Sequence, residues 1–232
     1  MAAAEDSAWV DAAARKFFGE RLAVAEQYAE ALATSGVERG LLGPREVPRL
    51  WERHLLNCAA VIELVPPDVR LVDVGSGAGL PGVVIAIARP DVEVTLVEPL
   101  LRRVTWLGEV MASLELTNVV VHRSRAEEAA REGLSFDVAT ARAVASLGQL
   151  ATWSLPLVRP GGELLALKGA LAGVELADAT SVLRAHGASR WSVEVCGEAL
   201  LPEPTTVVRV EKSTSPARPE ARRPARRPRR RS

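Results

Sequence analysis

The first 65 residues carry the hydrophobic period of amphipathic helices. Over residues 6–34, apolar side chains recur every three or four positions with charged residues between them, and Ser35-Gly36 follows as a stop signal. A second stretch of the same kind covers residues 47–65 and stops before Pro66-Pro67. The sequence therefore predicts two helices at the start of the chain.

From Val69 onward, short β-branched runs alternate with segments of helical period. The predicted strands cover residues 70–74, 92–98, 119–122, 136–140, 162–167, 192–196 and 205–211. The predicted helices cover residues 81–88, 100–116, 145–158 and 171–186. Such alternation is typical of parallel strands joined by right-handed crossover helices. The last two strands have only a short loop between them, which predicts an antiparallel hairpin at one edge of the sheet.

These elements predict the α/β fold class, with a Rossmann-like seven-stranded sheet, helices on both faces and an N-terminal helical extension. We expect three segments: residues 1–66 as the extension, residues 67–212 as the core and residues 213–232 as a tail. A hydrophobic content of 48% in 232 residues is enough for one well-buried core.

Composition narrows the class of protein. No run approaches the roughly 18–20 apolar residues of a membrane helix, and the N-terminus lacks a basic-then-apolar signal pattern. A cytoplasmic protein with no membrane contact is therefore expected. Cys58 and Cys196 lie far apart, and the three histidines are equally scattered, so their spacing predicts reduced thiols and no metal site.

A formal net charge of zero conceals opposite charges in the body and the tail. Residues 213–232 hold eight arginines, four prolines and one glutamate, which leaves 21 basic and 28 acidic residues in the rest of the chain. With no apolar side chain larger than alanine, this tail is predicted to be disordered. It is either a spacer that favours solubility or a segment that contacts RNA, because clustered arginines neutralise phosphates.

A glycine-rich stretch, DVGSGAGLPG, covers residues 73–82 directly after the first predicted strand. In an open α/β sheet, ligands bind where a strand turns into the following helix. Gly75, Gly77 and Gly79 allow unusual backbone angles and a close approach to a ligand. Such a loop fits either a dinucleotide or S-adenosylmethionine.

Two acidic residues favour S-adenosylmethionine as the cofactor. The dinucleotide fingerprint GxGxxG also matches residues 77–82, so the glycine spacing alone leaves NAD open. The carboxylate of Asp73 would face a pyrophosphate unfavourably, but it suits the ammonium group of a methionine moiety. Glu98 closes the second predicted strand, where an acidic group can accept hydrogen bonds from both hydroxyls of a ribose.

The ends of the next two strands carry further candidates. Ala126 is small enough to admit an adenine ring, and Glu127 either receives the exocyclic amine of that ring or is only a first-turn charge of a helix. Arg142 follows the fourth predicted strand, where it either binds a phosphate or the cofactor carboxylate, or is a solvated charge. Spacing alone leaves these alternatives open.

Six stretches match the pattern of one known family. They are WERHLLNCAAV at 51–61, DVGSGAGLPGVVIAIARPD at 73–91, VTLVEPLLRRVTWL at 94–107, RAEE at 125–128, FDVATARAVASL at 136–147 and LLALKG at 164–169. Together they resemble the ribosomal RNA small subunit methyltransferase G family, also called glucose-inhibited division protein B. The resemblance covers roughly residues 10–211 and leaves the tail outside.

The resemblance implies a seven-stranded class I methyltransferase that moves a methyl group from S-adenosylmethionine to N7 of one guanine. That guanine is nucleotide 527 in the 530 loop of 16S rRNA. The resemblance places Lys168 near the RNA, and it places cofactor contacts on Gly75, Leu80, Ala126, Glu127 and Arg142.

Two positions depart from the family pattern. Asn57-Cys58 stands where Asp-Ser is expected, and Glu98 stands where Asp is commoner. The second change keeps the carboxylate, whereas the first argues against a chemical role for Asn57.

Methylation of guanine N7 requires no general base, because N7 has a lone pair and no proton. The sequence therefore leaves the catalytic residues unassigned, with no general base required, and Arg142 and Lys168 are candidate positioning residues. Cys58 and Cys196 are interpreted as small core residues. Arg53 and His54 either cap the cofactor or touch RNA, or His54 is a satisfied structural histidine.

The expected partner is 16S rRNA or the small ribosomal subunit, bound by a monomer. Trp51 and Trp106 either stack on a base or belong to the core. A basic rim around the cofactor crevice is predicted from residues near strand ends, namely Arg102, Arg103, Arg123, Arg125, Arg142 and Lys168. Two alternatives are an NAD-dependent oxidoreductase and a non-catalytic RNA-binding ribosome-assembly protein on the same fold.

Overall fold

The computed structural model describes residues 2–214, with side chains from Ala8 onward. The first helical region is two helices, α1 (Ala2–Phe18) and α2 (Leu22–Ala31), so the prediction of one helix over residues 6–34 was wrong. Gly19 lies between them with φ +51°, a left-handed conformation that interrupts a right-handed helix. A π-helical turn, Leu32–Gly36, follows α2, and the helical region ends at Glu38.

The second predicted helix is a helical segment of changing pitch. It consists of a 3-10 segment Pro44–Arg49, a π-helical segment Trp51–Leu56, the short helix α3 (Asn57–Ala59) and a 3-10 segment Ala60–Leu64. Pro48 lacks an amide hydrogen and so prevents a regular α-helix at its start.

Seven strands form one sheet in the order β3-β2-β1-β4-β5-β7-β6. Strands β1 to β5 are parallel to their neighbours, whereas β7 is antiparallel to both β5 and β6. The strands are β1 (Arg70–Val74), β2 (Glu93–Val97), β3 (Val119–His122), β4 (Phe136–Arg142), β5 (Val158–Lys168), β6 (Ala188–Cys196) and β7 (Thr205–Lys212). The predicted α/β class and seven-stranded sheet are confirmed.

The predicted hairpin is also confirmed, but its order in the sheet required the structure. Strand β7 lies inside the sheet between β5 and β6, and its Val207, Val208 and Val210 are fully buried. Strand β5 starts earlier than predicted, because the turn-like residues 159–162 form an irregular stretch within its pairing with β4.

Five further helices cover the sheet: α4 (Gly82–Ala88), α5 (Leu101–Ser113), α6 (Ala126–Arg131), α7 (Leu147–Ser154) and α8 (Ala172–Ala185). The hydrophobic period did not predict α6, because six residues are too few to display it, and only the alternative of Glu127 as a first-turn charge implied a helix there. One hydrophobic cluster joins the N-terminal helices to α4, α5 and one face of the sheet, and a second joins α6, α7 and α8 to the other face.

Leu55, Leu56 and Val61 of the N-terminal region are fully buried in the first cluster, so this region shares its core with the sheet. The division into residues 1–66, 67–212 and 213–232 stays a prediction, and all but two residues of the last segment lie outside the described residues. Among the described residues, no helix is long and apolar enough to span a membrane.

Candidate active site

The glycine loop follows β1 and has a backbone that only glycine adopts easily. Gly75, Gly77 and Gly79 have φ values of +71°, +58° and +92°. The amides of Gly75 and Ser76 donate to the carbonyl of Val97 at the end of β2, at 2.9 and 3.2 Å. The loop is thereby fixed at the carboxyl edge of the sheet, where the sequence placed it.

The three glycines face different surroundings. A Cβ on Gly79 would lie 2.5 Å from the Val83 side chain and 2.9 Å from the Tyr28 hydroxyl, so Gly79 is needed for packing as well as conformation. A Cβ on Gly77 would have no heavy atom closer than 3.8 Å. Gly77 therefore presents an open face that a ligand can approach. Leu80 follows in the same loop and is half-buried.

Asp73 lies at the end of β1 and is fully buried. Its Oδ2 accepts a hydrogen bond from the Gly82 amide at 3.1 Å, whereas its buried Oδ1 has no partner. Burial raises the pKa of Asp73 to about 7, with a smaller contribution from Glu98, although the Gly82 amide and the nearby Ser76 hydroxyl oppose the shift. A positively charged ligand group at Oδ1 would supply the missing partner and favour the ionised form.

Glu98 follows β2 and lies against the glycine loop with only 1% of its surface exposed. Its Oε2 accepts hydrogen bonds from the Gly77 amide at 3.0 Å and from Arg103 Nη1 at 3.3 Å, and its Oε1 accepts one from the Leu100 amide at 2.9 Å. A ribose diol at Glu98 would replace the Arg103 contact, since that side chain is 34% exposed and can move.

The end of β3 carries the next group of candidates. Ala126 is buried at the start of α6, whereas the Glu127 side chain is exposed. Ser124 was missed by the sequence analysis, yet its buried Oγ has no hydrogen-bond partner in the described part of the chain. A serine directly after a predicted strand at this edge was the available signal. Ser124 and Asp73 thus place unpaired polar atoms at the carboxyl ends of two strands of the same sheet, β3 and β1.

Arg142 ends β4 and turns toward the N-terminal region. Its Nη1 donates to the His54 carbonyl at 3.3 Å and contacts the Cys58 Sγ at 3.1 Å, and its Nη2 contacts the His54 ring nitrogen Nδ1. The opposite ring nitrogen of His54 lies 2.9 Å from Glu46 Oε2. The alternative of a solvated charge at Arg142 was therefore wrong, because its Nη1 and Nη2 contact a segment 84–88 residues away.

Both groups beside Arg142 are neutral at pH 7. Burial keeps the pKa of His54 below its ordinary value, despite the hydrogen bond to Glu46. Burial also raises the pKa of the Cys58 thiol, although Arg142 opposes the shift. Cys58 and Cys196 are both buried, which confirms their interpretation as small core residues.

A cleft of about 1030 Å³ opens beyond the ends of β4 and β5, between these strands and the N-terminal region. It brings Arg142 and Lys168 together, but the other four residues of the predicted basic rim do not line it. Lys168 is only 10% exposed and is paired with Glu175. The ionisable side chains that line the cleft are Glu46, Arg49, Glu52, Arg53, His54, Arg142, Lys168, Glu175 and Glu203. Within residues 2–214 no cluster of side chains has the composition of a metal site.

The aromatic residue at the cleft is Trp9 of α1, which the sequence analysis did not select. Trp106 is instead buried and donates its indole N–H to Ser35 Oγ at 2.9 Å, so it belongs to the core. Trp51 packs edge-on against Phe18 with ring centroids 6.2 Å apart. Arg49 was also missed, because its role depends on how the N-terminal region packs against β4 and β5.

Comparison with known proteins gives one consistent family. The family model described as "GidB: rRNA small subunit methyltransferase G" matches residues 21–203. Relatives named ribosomal RNA small subunit methyltransferase G include that of Renibacterium salmoninarum, 54% identical and covering 87% of this chain and 94% of the relative. That of Salinispora tropica is 53% identical and covers 94% of each chain, and that of Streptomyces coelicolor is 56% identical and covers 88% and 85%.

Solved structures share the fold at low sequence identity. TrmN from Thermus thermophilus has a TM-score of 0.51 at 20% identity, with coverage of 68% of this chain and 48% of that one. The YcgJ protein from Bacillus subtilis has a TM-score of 0.51 at 12% identity, with coverage of 69% and 99%. The sheet is that of a class I methyltransferase, and S-adenosylmethionine is the cofactor of such a protein. The chain therefore belongs to the rRNA small subunit methyltransferase G family.

Proposed function

We propose that this protein transfers a methyl group from S-adenosylmethionine to N7 of guanine 527 in the 530 loop of 16S rRNA. One arrangement carries the proposal. The open face of Gly77 lies beside two buried carboxyl groups, Asp73 and Glu98, and the neighbouring cleft of about 1030 Å³ is lined by several arginines. A nucleoside cofactor and a base of RNA would thus bind side by side at the carboxyl edge of the sheet.

The residues around the glycine loop fit the cofactor. Asp73 Oδ1 would accept a hydrogen bond from the ammonium group, and Glu98 would accept hydrogen bonds from the ribose hydroxyls. Ser124, at the end of β3, would donate a hydrogen bond to the adenine. The predicted contacts of Gly75, Gly79, Leu80, Ala126 and Glu127 lie around the same edge. The bound cofactor supplies an electrophilic methyl group on a sulfonium, so the protein has mainly to orient the acceptor.

The cleft suits an acceptor that needs no deprotonation. Guanine N7 attacks with its own lone pair, so no base has to be poised beside it. His54 is neutral and engaged with Glu46 and Arg142, and Cys58 is a protonated thiol. Arg142 therefore acts by orientation rather than by proton transfer.

The cleft also offers groups suited to an RNA loop. Arg49 and Arg53 lie on the N-terminal side, where they would pair with phosphates, and Trp9 offers an aromatic face to a displaced base. We propose that the protein is cytoplasmic and acts as a monomer. Light scattering of the free protein and of the RNA complex would test the monomeric state.

A synthetic 530-loop RNA gives the sharpest test of the acceptor atom. Guanosine at position 527 would be compared with 7-deazaguanosine, which lacks N7 and otherwise preserves the base. Tritiated methyl transfer should occur to the RNA with guanosine and not to the RNA with 7-deazaguanosine. Transfer to naked 16S rRNA and to small ribosomal subunits would be measured with the same assay. Transfer to the 7-deaza RNA would contradict the proposed atom.

Calorimetry and the transfer assay together separate the proposed methyltransferase from the two alternatives, an NAD-dependent oxidoreductase and a non-catalytic ribosome-assembly protein. S-adenosylhomocysteine should bind the protein at micromolar concentration, whereas NADH should not. Binding of NADH alone would favour the oxidoreductase, and binding of S-adenosylhomocysteine without transfer to any RNA would favour a non-catalytic assembly protein.

A further inference from the structure

The loop between β4 and α7, residues 143–146, separates the glycine loop from the cleft. Ala143 and Ala145 line the cleft. On the other side, the Val144 side chain lies 3.1 Å from the position that a Cβ on Gly75 would take. A methyl group that moves from a cofactor at Gly75 to a base in the cleft passes this loop. We call residues 143–146 the β4–α7 loop.

The conformation of the β4–α7 loop is imposed from outside. Ala143 has φ +54°, a left-handed conformation that is unfavourable for a residue with a Cβ. Val144 is 37% exposed, so burial of its side chain does not hold the loop in place. A strained residue persists when surrounding contacts determine its geometry, and such residues cluster at functional sites.

Those contacts come from the ion pair of Lys168 and Glu175. Lys168, at the end of β5, donates from Nζ to the Ala145 carbonyl at 2.7 Å and to Glu175 Oε2 at 2.8 Å. The same Oε2 of Glu175, which lies on α8, accepts the amide of Leu147 at 2.8 Å. The pair therefore fixes both the loop and the first residue of α7.

We infer that Lys168 and Glu175 are positioning residues that hold the β4–α7 loop against Gly75 and thereby set the approach of the base to the methyl donor. The positioning role rests on the proposed function, which supplies the methyl donor and the RNA base. The contacts of Lys168 and Glu175 with the loop do not depend on that function. It differs from a phosphate contact by Lys168, because that side chain is 10% exposed and two of its three donors are already used.

The loop contacts are testable without any ligand, by amide hydrogen exchange in the full-length protein. Lys168→Met and Glu175→Met should each speed exchange of the Leu147 amide about tenfold or more, since that amide donates to Glu175. Glu175→Gln keeps an acceptor oxygen and should restore most of the protection. Unchanged exchange in both methionine variants would overturn the inference.

Single-turnover methyl transfer then tests the positioning role. Each methionine variant should lower the rate of transfer roughly 10- to 100-fold, which is the scale of a lost alignment. Affinity for RNA and for S-adenosylhomocysteine should stay within about threefold. The double variant should be no slower than the slower single variant, because both changes release the same loop. Additive losses in the double variant would contradict a shared role.

Arg53→Met is the matched control, because it removes one positive charge from the same cleft without touching the loop. It should weaken RNA binding, reduce the salt dependence of that binding and leave Leu147 exchange unchanged. If Lys168→Met behaves like Arg53→Met while Glu175→Met is silent, Lys168 is a phosphate contact and the inference is wrong. If the wild-type protein transfers no methyl group, the proposed function fails, and Leu147 exchange still decides whether the pair holds the loop.

Discussion

At the scale of single residues, the candidate site is defined by buried carboxyl groups, one of which has an oxygen without a hydrogen-bond partner. Asp73 is fully buried with an unpaired Oδ1, and Glu98 accepts three hydrogen bonds while almost inaccessible. A buried carboxylate that lacks a partner destabilises the folded protein unless it is protonated or neutralised. Asp73 is therefore expected to respond to pH near neutrality.

Asp73 should make cofactor affinity depend on pH. Its pKa of about 7 means that the carboxyl group is mostly protonated below pH 7 and ionised above it. An ammonium group binds the ionised form, so affinity for S-adenosylhomocysteine should rise with pH, by up to roughly tenfold per unit below 7, and level off near pH 8. Calorimetry from pH 5.5 to 8.5 measures this dependence, and Asp73→Asn should abolish it and weaken binding roughly tenfold or more at pH 8.

The same group has a predicted effect on stability in the absence of ligand. Because its pKa is higher in the folded than in the unfolded protein, Asp73 stabilises the fold at low pH, and this contribution is lost as the pH rises through about 7. The free energy of unfolding of the wild type relative to Asp73→Asn should therefore fall between pH 4 and 7. A difference that is flat over this range would refute the raised pKa.

Two glycines of the same loop should separate ligand binding from folding. A Cβ on Gly82 would lie 2.5 Å from Leu96 Cδ2 and 2.8 Å from Asp73, so Gly82→Ala should destabilise the protein by about 1–3 kcal/mol. Gly77→Ala meets no such contact and suffers only from its positive φ, at about 1 kcal/mol. Urea denaturation and binding of S-adenosylhomocysteine should show the larger loss of stability for Gly82→Ala and a clear loss of affinity for Gly77→Ala.

At the scale of elements, the N-terminal helices support the site from two sides. Tyr28 of α2 donates its hydroxyl to the Ala78 carbonyl of the glycine loop at 2.7 Å, in a fully buried environment that raises its pKa. On the other side, Asn57 of α3 and Thr205 of β7 exchange two hydrogen bonds, at 2.8 and 2.9 Å. The N-terminal helices thus support the glycine loop and also form one wall of the cleft.

Tyr28→Phe tests this support. The change keeps the ring and removes one donor, which leaves the Ala78 carbonyl buried without a partner. We expect a loss of about 1–3 kcal/mol in the free energy of unfolding together with weaker binding of S-adenosylhomocysteine. Denaturation in urea with and without this ligand measures both effects. Full stability and full affinity in the variant would show that the loop keeps its shape without α2.

At the scale of the whole molecule, charge is separated along the chain. The tail, residues 213–232, carries eight arginines, whereas the rest has more acidic than basic residues. An acidic body does not attract RNA at long range, so the tail is the segment that would raise the rate and strength of encounter. The residues of the tail beyond Thr214 lie outside the described part of the chain.

Removal of residues 215–232 should weaken RNA binding and make that binding less dependent on salt, while affinity for S-adenosylhomocysteine stays unchanged. The cut follows Thr214 because the Ser213 amide donates to the Gly187 carbonyl at 2.8 Å, so an earlier cut would disturb the fold. RNA affinity would be measured between about 50 and 200 mM salt, the range in which phosphate contacts change affinity most visibly. Equal affinity of both proteins at the low-salt end would show that the tail is only a spacer.

Local sequence determined the strands, the glycine loop and its two acids. Strand β1, the loop at residues 73–82 and Glu98 occur where the pattern placed them, because a short β-branched run and the conformational freedom of glycine act over a few neighbouring positions. The family resemblance likewise rested on short motifs of this kind.

Tertiary structure alone decided which distant groups meet. Only packing of the N-terminal region against β4 brought His54 and Cys58 to Arg142, and only the order of the strands placed β7 inside the sheet. The pairing of Lys168 with both Glu175 and the Ala145 carbonyl depends in the same way on three elements. The local sequence around each of these residues does not predict its distant partner, because burial and hydrogen-bond geometry are properties of the assembled core.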